Sequence, residues 1–142
     1  MTLARAPTHS LAEQRVQSSL LILLTEDEAL VSVSVQDALE DAGFSVRPVM
    51  SGEEAIAMLD AEHADFSGLI TDIRLDSEVD GWEVARHARE LIPDVPVVYM
   101  SGDSAHEHTS KGVPQSVMLQ KPFAFAQVIT AISTLLNSAT PQ

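Results

Sequence analysis

Apolar residues in this chain fall into short unbroken runs that alternate with longer stretches of helical period. Leu20-Leu21-Ile22-Leu23-Leu24 is one such run, and it stops at Thr25-Glu26-Asp27. A run of that length bounded by polar residues predicts a strand buried on both faces, as in a parallel sheet. Val31, Val35, Ala38, Leu39 and Ala42 then share one helical stripe, and Gly43 stands where a helix C-terminal glycine belongs. The cycle repeats. Phe44 to Val49 predicts a weaker second strand. Ser51 and Glu54 have capping-box spacing ahead of Ala55, Ile56 and Leu59. Gly68-Leu69-Ile70-Thr71 predicts a short third strand ending at Asp72. Asp80 can cap a helix carrying Trp82, Ala85, Ala88, Leu91 and Ile92, which Pro93 ends. Val95 to Met100 and Ser116 to Gln120 predict the fourth and fifth strands. The polar stretch between them leaves room only for a short, weak helix. Phe125, Val128, Ile129, Ile132, Leu135 and Leu136 mark a last amphipathic helix.

Five strand–helix units predict an α/β fold, a doubly wound five-stranded parallel sheet with helices on both faces. With right-handed crossovers, the usual strand order of such a five-stranded sheet is 2-1-3-4-5. The expected organisation is a flexible tail over 1–17, one domain over 18–138 and a short C-terminal tail over 139–142.

Charge narrows the function. Lys and Arg total 8 against 21 Asp and Glu, a formal charge of −13. Such a chain repels nucleic acid and anionic membranes as a whole, so neither is an expected partner. It suits cations and basic protein surfaces. There are no cysteines, which excludes disulfides and thiolate metal sites. With no spanning run and no leader pattern, a cytoplasmic location is expected.

In a doubly wound sheet the C-terminal strand ends share one edge, and a crevice opens there where the strand order reverses. Glu26 and Asp27 follow the first strand, Asp72 ends the third, Ser101 follows the fourth and Lys121 the fifth. Three carboxylates, a hydroxyl and an ammonium therefore gather at one rim. Two like charges about 4 Å apart repel by roughly 4 kcal/mol at an effective dielectric of 20, so this cluster calls for a cation. Mg2+ (or Mn2+) suits such oxygen donors, and a carboxylate beside it can take up a phosphoryl group.

The stretches Leu23-Leu24-Thr25-Glu26-Asp27-Glu28, Leu69-Ile70-Thr71-Asp72, Asp80-Gly81-Trp82-Glu83, Val97-Val98-Tyr99-Met100-Ser101-Gly102 and Lys121-Pro122-Phe123 resemble, in this order, the receiver domains of two-component response regulators. The resemblance spans roughly residues 18–136. It implies a flavodoxin-like receiver fold and a signalling switch of the stand-alone type. It implies Asp72 as phosphoacceptor, Asp27 and Asp72 as metal ligands, Glu26 acting through metal-bound water, and Arg74 lending its backbone carbonyl. Ser101 and Lys121 would bind the phosphoryl group, and the bond before Pro122 would be cis. The implied partners are a sensor histidine kinase or histidine phosphotransfer protein and an unknown downstream protein. A phosphorylation-dependent dimer is compatible with that role. Catalysis would be confined to the chain's own phosphorylation and dephosphorylation.

Three departures from the family pattern stand out. Asp72 to Gly81 is one residue longer than usual, and Asp76 replaces a proline, so the acidic loop 76–80 is expected to be mobile. Met118 replaces an aromatic residue three before Lys121. Switching is therefore assigned to Ser101 and Met118, with repacking over 103–120 and a partner face there and on the last helix. Rival readings are weaker. An aspartate-nucleophile phosphohydrolase needs a second Asp two residues on, where Arg74 stands. In a flavodoxin-like cofactor binder Glu26 and Asp27 would repel the phosphate. A degenerate receiver serving only for interaction would not need Asp27, Asp72, Ser101 and Lys121 together. His63, His87, His106 and His108 are expected at the surface, and Trp82 in the packing.

Overall fold

The computed structural model describes residues 20–139, so the expected N-terminal tail over 1–17 and residues 140–142 lie outside the described part. The elements are β1 (Leu21–Thr25), α1 (Ala29–Asp41), β2 (Ser45–Val49), α2 (Gly52–Glu62), β3 (Phe66–Asp72), α3 (Gly81–Leu91), β4 (Val97–Ser101), α4 (His108–Lys111), β5 (Val117–Gln120) and α5 (Phe125–Ala139). Single 3-10 turns at His63–Asp65 and Ala105–Glu107 precede β3 and α4. All strands pair in parallel in the order β2-β1-β3-β4-β5.

Strand alternation divides the core into two layers. Ile22, Leu24, Ile70, Val98 and Met100 face α1 and α5, where Val35, Leu39, Val128 and Ile132 meet them. Leu23, Leu69, Val97 and Tyr99 face α2 and α3, against Ala55, Leu59, Trp82, Ala85 and Ala88. Burying each large aliphatic side chain contributes about 1.5–3 kcal/mol relative to exposure, so the three central strands anchor the fold. The edges are weaker. Pro48, which has no N–H to donate, is tolerated in β2 because β2 is an edge strand.

The caps are as expected. Ser51 Oγ accepts from the Glu54 amide at 3.1 Å, and Asp80 Oδ1 accepts from the Glu83 amide at 2.9 Å. Gly43 has φ 100°, the left-handed turn that ends α1. Two strands start two residues from where they are expected, and the other three start one residue later. β3 begins at Phe66, two residues early, where buried Phe66 pairs with Leu21; within the strand a Cβ on Gly68 would meet Ile22 and Ile132 at 3.1 Å. β4 begins at Val97, after Pro96.

The acidic loop 76–80 is anchored. The Asp76 amide donates to Asp27 Oδ2 at 2.9 Å and the Gly81 amide to the Ile73 carbonyl at 2.8 Å. Val79 lies so close to α2 that a Cβ on Gly52 would fall 2.2 Å from its carbonyl oxygen. Gly81 is equally constrained, since a Cβ there would sit 2.1 Å from the Asp72 carbonyl oxygen. His108 is not a solvated loop residue: it is half-buried, its ring lies 5.7 Å from that of Tyr99, and Nε2 is 2.9 Å from Ser116 Oγ.

Candidate active site at the β1–β3 edge

The sheet ladder continues just past the strands and sets the site. The Glu26 amide donates to the Val49 carbonyl at 3.1 Å, the Ile73 amide to Met100 at 3.0 Å and the Lys121 amide to Ser101 at 2.7 Å. Thr25 is paired with Thr71, Asp72 with Met100, and Ser101 with Gln120. Each chemical group is thus the residue at or just after a strand end, held by backbone. The strand order reverses beside β1 and β3, which places the crevice between Glu26-Asp27 and Asp72.

One oxygen from each of Glu26, Asp27 and Asp72 lies within 4.8 Å of the others. Among the described residues this is the group of His, Cys, Asp and Glu side chains placed to hold a metal ion; His106, Glu107 and His108 form no such group. Lys121 Nζ reaches Glu26 Oε1 at 3.1 Å, Asp72 Oδ2 at 3.2 Å and Glu28 Oε1 at 3.6 Å. Glu26 is fully buried, and its second oxygen accepts from the Glu28 amide at 3.0 Å. Ser101 is buried, and its Oγ accepts from the amides of Asp103 at 3.2 Å and Ser104 at 2.6 Å. Both bonds use the oxygen as acceptor, so the hydroxyl proton is what Ser101 can offer to an incoming anion. The Lys121–Pro122 peptide bond is cis.

Burial and the Asp72 charge push the Glu26 carboxyl up to about 7, against the pull of the Glu28 amide and Lys121. Burial also raises the Asp72 carboxyl, with Asp27 adding to it and Lys121 opposing. Burial draws the Lys121 ammonium down, but Asp72 and Glu26 outweigh it and hold the group above its ordinary value. The trio therefore carries more negative charge than Lys121 balances. Hard oxygen donors with surplus charge fit a divalent cation such as Mg2+.

Of the rim residues expected from sequence, Glu26, Asp27, Asp72 and Lys121 bring their side chains together, and Ser101 is tied to Lys121 through the backbone. Arg74 lies on the wall of the same cleft with Asp103, and its side chain is engaged there: Nε is 2.8 Å from the Asp103 carboxylate. That pair and the Glu28 contact were missed from sequence. Their signal was position, since Arg74 and Asp103 each lie two residues beyond a rim group. Met118 is half-buried against the core layer that contains Tyr99. Tyr99 is fully buried and its hydroxyl accepts from the Val113 amide at 3.0 Å, which fixes the ring.

The family model of the response regulator receiver domain matches residues 22–133. The chain belongs to this family. The crystal structure of a response regulator receiver protein from Sinorhizobium medicae WSM419 is 49% identical, with a TM-score of 0.83 over 86% of this chain and 98% of that one. The response regulator receiver protein CpdR of Brucella abortus (strain 2308) is 34% identical over 83% of this chain and 98% of its own length. The receiver domain of sensor histidine kinase PA1611 from Pseudomonas aeruginosa PAO1 shares the fold at 20% identity and a TM-score of 0.72 over 84% of this chain and 99% of that one; it was solved with a magnesium ion coordinated in its active site cleft. Other curated relatives are longer: this receiver spans 13% of one sensor kinase and about half of several transcriptional regulators. As a receiver, the chain is a phosphorylation-dependent signalling domain of two-component systems. None of its described helices is long and apolar enough to cross a membrane.

Proposed function

We propose that Asp72 is the phosphoacceptor and that Mg2+, or Mn2+ in its place, is held by Asp27 and Asp72, by Glu26 through water and by the Arg74 carbonyl. The observation that carries this is Lys121 Nζ lying 3.2 Å from Asp72 Oδ2, with Glu26 and Asp27 oxygens close by. In transfer from a phosphohistidine, an Asp72 carboxylate oxygen forms the new P–O bond as the P–N bond breaks. The bonding pair stays on the imidazole nitrogen, which takes up a proton. Lys121 stabilises one equatorial oxygen, and the Ser101 hydroxyl donates to another. A bound divalent cation would supply the remaining neutralisation of phosphoryl charge. The reaction is confined to the chain's own carboxylate.

The phosphodonor is a sensor histidine kinase or histidine phosphotransfer protein, and a cytoplasmic location goes with that partnership. Support comes from exposed apolar side chains near the starts of the helices that follow Asp27 and Lys121: Leu30 (80%) and Val33 (53%) on α1 and Phe125 (43%) on α5. A downstream protein reads the surface over 103–120 and α5. Ser101 and Met118 are the switch residues, Met118 because an unbranched side chain repacks readily against Tyr99. Reversing a 1:99 population takes about 5.5 kcal/mol, and charge-assisted bonds to the phosphoryl oxygens supply a large part of it.

The test is incubation with acetyl phosphate and Mg2+ followed by intact mass. The wild type should gain about 80 Da, one phosphoryl group in place of a proton, and Asp72→Asn should gain nothing. An adduct that persists on the variant would move the assignment elsewhere.

A further inference from the structure

Lys121 is already engaged by carboxylates before any phosphoryl group arrives. Nζ donates to Glu26 at 3.1 Å and to Asp72 at 3.2 Å, and Glu28 lies 3.6 Å away as a further ion-pair partner. A phosphoryl group brings about two negative charges and three acceptor oxygens. It would enter a cleft already lined by Asp27, Glu28, Asp72 and Asp103. The other cation on that wall is Arg74.

Arg74 is 74% exposed and reaches across the mouth of the cleft to Asp103, itself 58% exposed, at 2.8 Å. Asp103 also accepts from Ser104 Oγ at 3.0 Å, and the Asp103 and Ser104 amides close on Ser101 Oγ. One ion pair thus ties the loop after Asp72 to the loop after Ser101. An exposed pair of this kind is screened by solvent and contributes little, so it can be given up readily. A guanidinium also matches a phosphoryl group better than an ammonium does, because its donors form a planar fork.

We propose that the Arg74 side chain is a phosphoryl-binding group that exchanges partners, with Asp103 as its partner at rest and a phosphoryl oxygen on Asp72 after phosphorylation. This rests on Asp72 being the phosphoacceptor. The exchange frees Asp103 and with it the 3-10 turn at Ala105–Glu107 and the one-turn helix α4, elements of three and four residues. It gives the chain a route from phosphoryl group to loop that does not pass through an aromatic ring at position 118.

The test is a titration of the full chain with beryllofluoride, a phosphoryl mimic, in Mg2+, read by fluorine NMR. Amide exchange over residues 102–111 is measured alongside. Arg74→Ala should bind about tenfold more weakly, the loss of one charge-assisted bond. Asp103→Asn should bind roughly threefold more tightly, because the competing carboxylate charge is gone. Without beryllofluoride, both variants should already show the faster exchange that the wild type reaches with it. Weaker binding by Arg74→Ala with no tightening in Asp103→Asn would make Arg74 an ordinary contact and overturn the exchange. Any other pairing of directions overturns the role of Arg74 altogether. A wild type that binds no beryllofluoride overturns the phosphoacceptor reading itself, which separates the two failures.

Discussion

The two ends of the sheet each carry a cavity and a cation, and they use them differently. The acidic cleft is about 410 Å³, and the cavity at the opposite edge, lined by Arg89, Asp94, Pro96, Gln115, Leu135 and Ser138, is about 420 Å³. At the far edge Arg89 donates to three neutral backbone carbonyls, those of Val95 at 2.8 Å, Pro114 at 2.7 Å and Gln115 at 3.3 Å. Those bonds help hold two left-handed residues in place, Asp94 with φ 67° and Gln115 with φ 57°. At the near edge Lys121 faces three carboxylates that repel one another. Size does not separate the two cavities; charge does. A cation meeting neutral carbonyls is a staple, whereas like charges pressed together around a cation are in surplus for any structural purpose. That surplus is what a metal and a phosphoryl donor can use.

The contrast should appear most strongly in pH dependence. The Glu26 carboxyl is raised from 4.5 to about 7 in the folded chain, so the folded state holds its proton more tightly than the unfolded state does. Its stabilising effect is complete below pH 4.5 and is lost as pH rises through 7, by about 3 kcal/mol at most. Asp72, raised in the same direction, adds to the trend. Urea unfolding in EDTA should therefore show stability falling between pH 5 and 8 relative to Glu26→Gln, and Mg2+ should restore it at pH 8. A metal-free wild type that tracks Glu26→Gln across this range would remove the strain from the account. Next in size, Arg89→Ala should cost about 2 kcal/mol in urea unfolding and leave the acetyl phosphate adduct unchanged. Loss of the adduct in a folded Arg89→Ala would show that the two ends are coupled. The smallest effect concerns Thr25, one residue before Glu26, whose buried Oγ1 has no hydrogen-bond partner. Thr25→Val should stabilise by about 1 kcal/mol, since it removes a desolvated hydroxyl at constant shape. A loss of stability instead would mean that this hydroxyl is satisfied by water.

The same contrast explains what the sequence made legible. Strands β1, β3 and β4 are buried on both faces, so their apolar runs are unbroken and their polar ends are sharp. Because those ends share an edge, Glu26, Asp27, Asp72, Ser101 and Lys121 could be grouped before any contact was seen. Ser51 and Asp80 were legible as caps because capping is local. Gly68 was read correctly as part of β3, where a Cβ would crowd Ile22 and Ile132, but the strand's first two residues, Phe66 and Ser67, were not. Arg74–Asp103, which joins two loops 29 residues apart, and His108–Tyr99, which joins the start of α4 to β4, were hidden because only the packed sheet decides their approach. Exposed loops carry no hydrophobic period from which such a meeting could be read.

The most direct test of the central claim is chemical trapping of the phosphorylated residue. Acetyl phosphate and Mg2+ are followed by borohydride, which reduces an acyl phosphate to an alcohol and converts an aspartyl phosphate to homoserine. Tryptic mapping should find homoserine at position 72, in the peptide that ends at Arg74. Reduction at Asp27, at Glu26 or at no carboxylate of the trio would contradict it.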